Sequence, residues 1–382
     1  MALAIALILI TVGAVAFHFV SPWWLTPLAS NWQQMDDALQ ITLVITAVAF
    51  VLVNLFMAYA VIRFRHRDGV RASSVHHNRK LEWWLIGATS VGIVAMLAPG
   101  LSVYAKLIDA PREAMLFEVM GQQWQWHYRL PGKDGKLGTT DARFISPTNP
   151  FGMNPDDPDG QDDLLVDGQE IHLPLGKPVK ALLRAADVLH DFYVPQFRTR
   201  MNMVPGLVTT FWLTPTKAGK FEVMCAQLCG VGHSNMRSYV VVEDEASYQA
   251  WLAHQTTFAS RLASTAAPGA TGTTGTTSDT SGAAAHGADQ ARQGRLLAQA
   301  RGCVGCHSAD GSAGAGPTWK GLYGKTETLE GGATVLVDDA YLRESITDPK
   351  AKVVRGFAPI MPQQPFSEAE LAAMVDYIRT LK

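Results

Sequence analysis

The run Cys225-Ala-Gln227-Leu-Cys229-Gly-Val-Gly-His233-Ser-Asn-Met236 places two thiols, an imidazole and a thioether within one short stretch. These soft and borderline donors select copper over hard cations, and a thioether is not a usual ligand of zinc. Upstream, His190 lies in the apolar, strand-like segment Ala-Asp-Val-Leu-His190-Asp-Phe-Tyr-Val-Pro, which can deliver a second imidazole to the same place. Two cysteines cannot satisfy two separate copper sites. Two bridging thiolates can, however, hold a copper pair with one terminal histidine for each metal. A zinc site would leave Met236 idle, and a Cys225–Cys229 disulfide would leave His190, His233 and Met236 unexplained.

A second constellation is Cys303-Val-Gly-Cys306-His307. This spacing suits covalent attachment of heme c, with His307 binding iron on one face. A zinc knuckle or a redox dithiol is the competing use, but a second pair of ligands is missing. Met361, bracketed by prolines in Phe-Ala-Pro-Ile-Met361-Pro, can present a thioether to the other face. Met374 falls with Leu371, Val375 and Ile378 on one face of a helix opened by the capping-box pair Ser367 and Glu370, which marks it as core.

The first segment closely resembles the purple dicopper (CuA) loop of cytochrome c oxidase subunit II. That resemblance implies that Cys225 and Cys229 bridge two coppers, with His190 and His233 as terminal ligands. It places Met236 and the backbone carbonyl of Gln227 in the weak axial positions. Most relatives carry Glu where this chain has Gln227. The carbonyl survives that change, but the carboxylate that helps relatives hold a nearby magnesium does not. Trp124 aligns with the exposed tryptophan through which relatives take electrons from cytochrome c. Glu82 matches a glutamate near the mouth of the partner subunit's proton-uptake channel, although a helix-dipole acid beside interfacial tryptophans explains it equally.

Elements must position these groups, and the chain of 382 residues has room for several domains. A formal net charge of −2 gives no basis for nucleic-acid binding. All four cysteines fall inside the two motifs, leaving none for a structural disulfide. Residues 1–34 read as a hydrophobic signal segment or an extra membrane segment. Residues 35–110 read as a transmembrane hairpin with spans at about 41–62 and 83–104. The cations Arg63, Arg65, Arg67, Arg71, Arg79 and Lys80 assign the intervening loop to the cytoplasm and everything after Lys106 to the outer side.

From Met115 the pattern alternates with period two through 111–262, as expected for a cupredoxin-like Greek-key β-sandwich with ligands on loops at one end. The strands expected are Met115–Val119, Gln122–Tyr128, Glu170–Leu173, Val179–Arg184, Val208–Thr214, Gly219–Met224 and Arg237–Val242, with a closing helix from Glu245 to about Leu262. Trp126 and Tyr128 read as packing residues, and His127 and His172 as ordinary polar partners. The insert Ser146–Asp163 reads as a long ordered loop or a subunit contact. Residues 263–288, nearly all Ala, Gly, Thr and Ser, lack the apolar mass to fold and read as a tether spanning about 25–30 Å. Such a leash keeps the tail near the copper domain at roughly millimolar effective concentration. Residues 289–382 form an all-α class I cytochrome c domain by resemblance.

The whole is thus expected to be a multidomain membrane protein resembling subunit II of a caa-type heme–copper oxidase. The resemblance implies a catalytic subunit I, with a subunit III beside it, in a bacterial inner membrane. Its donor would be cytochrome c or a quinol–cytochrome c reductase, and dioxygen would be reduced with proton pumping in the partner. The equivalent dicopper subunit of a nitric oxide reductase is the alternative that Gln227 keeps in view. A copper-delivery protein would hold one labile ion, and quinol oxidase subunits lack these ligands.

Overall fold

The computed structural model describes residues 2–21, 26–69, 71, 77–146, 148–166, 170–266 and 281–382. It divides into two compact units, one of residues 1–110 with 196–198, the other of 111–195 with 199–382.

The first unit holds three long apolar helices, α1 (Ala2–Val20), α2 (Gln33–Arg63) and α3 (Arg79–Ile108), each long and apolar enough to cross a membrane. The expectation of a two-helix hairpin is thereby extended by α1, whose residues could equally have been a signal segment. Side chains such as Phe56, Trp83 and Val91 are about 70% exposed, which water would not tolerate over whole helices and lipid favours. At 1.5 Å per residue the 31 residues of α2 reach beyond a ~30 Å hydrocarbon core, so its polar first turn extends past the apolar span. Asn78 caps α3 by accepting from the Leu81 N–H. Arg198 grips Asp36 through two nitrogens, at 2.6 and 3.1 Å, both side chains nearly buried.

The second unit begins with the sandwich. One sheet runs β11–β3–β2–β1–β5–β8 and the other β4–β10–β9–β6–β7. Their strands are β1 (Met115–Gln122), β2 (Gln125–Leu130), β3 (Leu164–Val166), β4 (Glu170–Pro174), β5 (Val179–Ala185), β6 (His190–Val194), β7 (Thr199–Met203), β8 (Thr209–Leu213), β9 (Gly219–Cys225), β10 (Arg237–Glu243) and β11 (Thr256–Thr257). Between the sheets, Phe192 meets Trp126 and Tyr128 edge-on and stacks on Phe211, with centroids 5.4 to 6.4 Å apart. Aromatic pairs at this spacing add about 0.5–1.5 kcal/mol beyond the area they bury. Trp126 and Tyr128 are therefore packing residues, as expected.

The closing helix is broken. α4 (Glu245–Ala253) and α5 (Phe258–Ala266) flank β11, where Thr256 and Thr257 pair with Leu165 and Leu164 and so interrupt the helix. Among the described residues of the 146–163 insert, Phe151 and Met153 are buried and Asn149 bonds Phe144 and Met153.

Part of the expected tether is helical. Residues 281–288 open α6 (Ser281–Ala300), and their alanines are the best intrinsic helix formers, while 267–280 lie outside the described residues. In the tail, α6, α7 (Asp339–Thr347) and α8 (Glu368–Thr380) surround a core of Trp319, Leu342, Leu371, Met374 and Ile378. Ser367 and Glu370 form the reciprocal capping box that starts α8. The domain is not purely helical, because Thr326–Thr328 (β12) and Thr334–Leu336 (β13) make a short antiparallel ribbon.

Candidate metal and heme centres

The copper-type donors come from three places. β6 begins at His190, β9 ends at Cys225, and the loop from Ala226 returns through a short 3-10 turn at His233–Asn235 into β10. β6 and β9 are paired neighbours, with Phe192 opposite Cys225, so sheet register alone brings His190 to the start of the loop. Donor atoms of His190, Cys225 and Cys229 lie within 4.8 Å of one another, all three buried.

The sulfurs of Cys225 and Cys229 are 3.8 Å apart. Nδ1 of His190 lies 3.9 Å from Cys225 Sγ, and Nδ1 of His233 lies 3.5 Å from Cys229 Sγ. Met236 Sδ is 3.9 Å from Cys229 Sγ, while the Gln227 carbonyl is 3.2 Å from Cys225 Sγ. Thiolate–metal bonds of about 2.3 Å, the value for zinc, are compatible with a metal seated between sulfurs at this separation. The donors are also paired in opposition, one imidazole and one weak ligand for each sulfur. This set fits a sulfur-bridged metal pair.

Polar groups behind the donors fix their orientation. Nε2 of His190 is 2.8 Å from Oδ1 of Asp187, leaving Nδ1 facing the sulfurs. The other Asp187 oxygen accepts from the Gln123 N–H at 2.7 Å. Burial alone would raise Asp187, but the hydrogen bonds from His190, Gln123 and Val188 outweigh it and hold the carboxyl below its ordinary range. Burial likewise disfavours a charged His190, and the Asp187 and Cys225 partners more than offset it. Cys225 is drawn well below the ordinary thiol range chiefly by its hydrogen bond with Cys229, and Cys229 is raised by the same sharing and by burial. Asp187 and Gln123 were not singled out from sequence. An acid three residues before a candidate histidine was the available signal for the first.

The Trp124 indole N–H and the Gln123 side-chain amide both donate to the Cys229 carbonyl, at 3.2 and 2.7 Å. Trp124 is only 9% exposed, unlike the exposed tryptophan it resembles, because its ring packs on Gly230 and Gly232 of the copper loop and its backbone on Gly302 and Gly305 of the tail. Glu82 sits in the first turn of α3, half exposed, with an oxygen 4.0 Å from Nδ1 of His77. His127 bonds Gln122 and His172 bonds Glu243 at 2.6 Å, so both histidines have ordinary polar partners.

In the tail, Cys303, Cys306, His307, Pro317 and Met361 line one cavity. The two cysteines form no disulfide with each other, and burial pushes the Cys303 thiol up to about 11. Nδ1 of His307 donates to the Pro317 carbonyl at 2.7 Å, leaving Nε2 as the free ligand atom, and burial lowers this imidazole. Gly316 is required here, since a Cβ would lie 2.5 Å from the His307 ring. Both methionines line the cavity, but Met374 is 1% exposed and belongs to the core cluster, whereas Met361 is only partly buried and packs against it. These residues fit heme c.

Residues 115–244 match the family "Cytochrome C oxidase subunit II, periplasmic domain", and 291–382 match "Cytochrome c". The alternative cytochrome c oxidase subunit 2 of Bradyrhizobium diazoefficiens is 57% identical over 259 residues, 68% of this chain and 94% of that protein. Cytochrome c oxidase subunit 2 of Alkalihalophilus pseudofirmus is 23% identical over 367 residues, covering 94% of this chain and 90% of the relative. Among solved structures, the periplasmic domain of subunit II of the Bradyrhizobium japonicum oxidase is 23% identical, covering 38% of this chain and 95% of that one, with a TM-score of 0.28. A subunit II periplasmic domain and a cytochrome c domain thus occupy one polypeptide, and the chain belongs to the cytochrome c oxidase subunit 2 family.

Proposed function

We propose that this chain is the electron-input subunit of a respiratory terminal oxidase, taking electrons from an external donor at its tail and passing them through its sandwich domain to the catalytic subunit. Family membership makes it a subunit of a cytochrome c oxidase, in which dioxygen reduction and proton pumping belong to the partner. When bound, heme c supplies a one-electron acceptor and the copper pair a second one. The observation that carries this assignment is the complete six-donor cluster, with each sulfur flanked by one imidazole and one weak ligand.

The residues divide the work. Cys303 and Cys306 would attach the heme, and His307 and Met361 would ligate its iron, which would favour electron passage over ligand chemistry. Cys225, Cys229, His190, His233, Met236 and the Gln227 carbonyl would hold the copper pair, which would supply a one-electron acceptor. Thiolate softness and weak axial ligands tune the potential. Trp124, bonded to the Cys229 carbonyl, stands where electrons enter the copper domain. Glu82 serves the mouth of the partner's proton channel. The protein sits in a bacterial inner membrane with both redox domains on the outer side. It works beside subunits I and III and draws on cytochrome c or a quinol–cytochrome c reductase.

Copper and heme quantification on the purified complex, with electron paramagnetic resonance, tests the assignment. Two coppers and one heme c per chain, with the unpaired electron shared by both coppers, are expected. A mononuclear copper signal would overturn it.

A further inference from the structure

The heme-attachment loop of the tail and the Gln123–Trp124 backbone approach more closely than any side chain would allow. A Cβ added at Gly305 would lie 2.5 Å from the Trp124 carbonyl oxygen, and its three nearest atoms all belong to Trp124. One added at Gly302 would collide with the Gln123 carbonyl, and Gly302 also has φ +72°, which favours glycine. On the opposite side, Gly232 and Gly230 leave room for the Trp124 indole, against whose ring a Cβ at Gly232 would clash. Trp124 is therefore clasped between the copper loop and the heme loop. Trp124 and Val231 of the sandwich also line the cavity that contains Cys303, Cys306, His307 and Met361.

We propose that Gly302 and Gly305 are the docking residues of an intramolecular interface, seating the tail cytochrome on Gln123–Trp124 and withholding Trp124 from external donors. Three features support this reading, and one consequence follows from it. The contact is backbone to backbone, so it depends on the absence of side chains rather than on surface charge that salt would screen. The residue whose backbone the heme loop touches, Trp124, bonds through its indole N–H directly to the carbonyl of Cys229. Gly305 carries no positive φ, so its own backbone does not demand glycine, and the three atoms nearest a side chain there all belong to Trp124. A donor that cannot touch Trp124 must deliver its electrons to the tail first. The proposal rests on the copper and heme assignment above for its purpose, though not for its geometry.

The test compares the parent oxidase complex with Gly305→Ala and Gly305→Val. Oxidative footprinting of the Trp124 indole by mass spectrometry reads docking without reference to activity, and photoreduction reads internal transfer. Overpacking a close contact should raise Trp124 labelling by about tenfold in the valine variant and less in the alanine variant. Transfer from heme c to copper should slow in the same order, with heme and copper contents unchanged and direct reduction of copper by soluble cytochrome c newly measurable. If valine costs heme attachment, the alanine variant decides alone. Unchanged Trp124 labelling with both cofactors retained would overturn the docking role. Absence of copper or heme from the parent would instead overturn the functional assignment, with the footprint still readable.

Discussion

Asp187 stands 2.8 Å from Nε2 of His190 and, through its other oxygen, accepts the backbone N–H of Gln123 at 2.7 Å. One carboxylate thus orients a copper-type ligand and pins the residue before Trp124. Asp187→Ala removes both restraints. Loss of such a partner typically lowers metal affinity by about 10- to 100-fold, so copper should be stripped at correspondingly lower chelator concentrations while heme c remains. Chelator titration followed by metal analysis checks this; copper retention equal to the parent would show that Asp187 does not hold His190.

Cys229→Ser and Met361→Ala should fail in opposite ways. The first removes the sulfur that lies 3.8 Å from Cys225 Sγ and should abolish the shared-electron signal with heme c intact. The second should leave the copper signal and change the heme spectrum to that of a five-coordinate or water-ligated iron. Paramagnetic resonance and visible spectra on the same two samples separate the outcomes. Loss of both signals in either variant would contradict two independent sites.

Trp124→Phe retains an aromatic ring but removes the indole donor to the Cys229 carbonyl. Gln123 still satisfies that carbonyl, so copper content should not change. Internal electron transfer should slow. An unchanged rate in flash reduction would remove Trp124 from the path.

Asp163 is fully buried beside Arg129, and burial raises its carboxyl to about 6 despite that cation. The ordinary value is about 3.9, so between pH 4 and 6 the folded state binds more protons than the unfolded chain. Its contribution to stability is therefore present below about pH 4 and lost as pH rises to about 6, by at most about 3 kcal/mol. Asp163→Asn should flatten this part of the profile of thermal midpoint against pH. The same slope in parent and variant would refute it.

The sites were legible because their chemistry is local in sequence. Cys225 through Met236 and Cys303 through His307 carry most of the donors within single loops, and the period-two pattern identified the strands that hold them. β3, β7 and β11 were missed for a physical reason. β3 and β11 are only three and two residues long, and β7 reads Thr-Arg-Met-Asn-Met with one β-branched residue and no aromatic one, so none stands out by composition and their sheet partners make them strands. The break between α4 and α5 follows from the same pairing. The covering of Trp124 could not be read either, since it depends on Gly302 and Gly305, 178 and 181 residues further along the chain, meeting the Gln123–Trp124 backbone.

The central claim is that charge moves from the tail heme to the copper pair within one chain. Photochemical reduction of heme c in the purified complex, followed at the heme c and copper absorption bands, tests it most directly. The account predicts that heme c reoxidises in step with reduction of the copper centre, before any change in the partner's heme. Reoxidation of heme c with no transient reduction of copper, or a heme c that stays reduced, would contradict it.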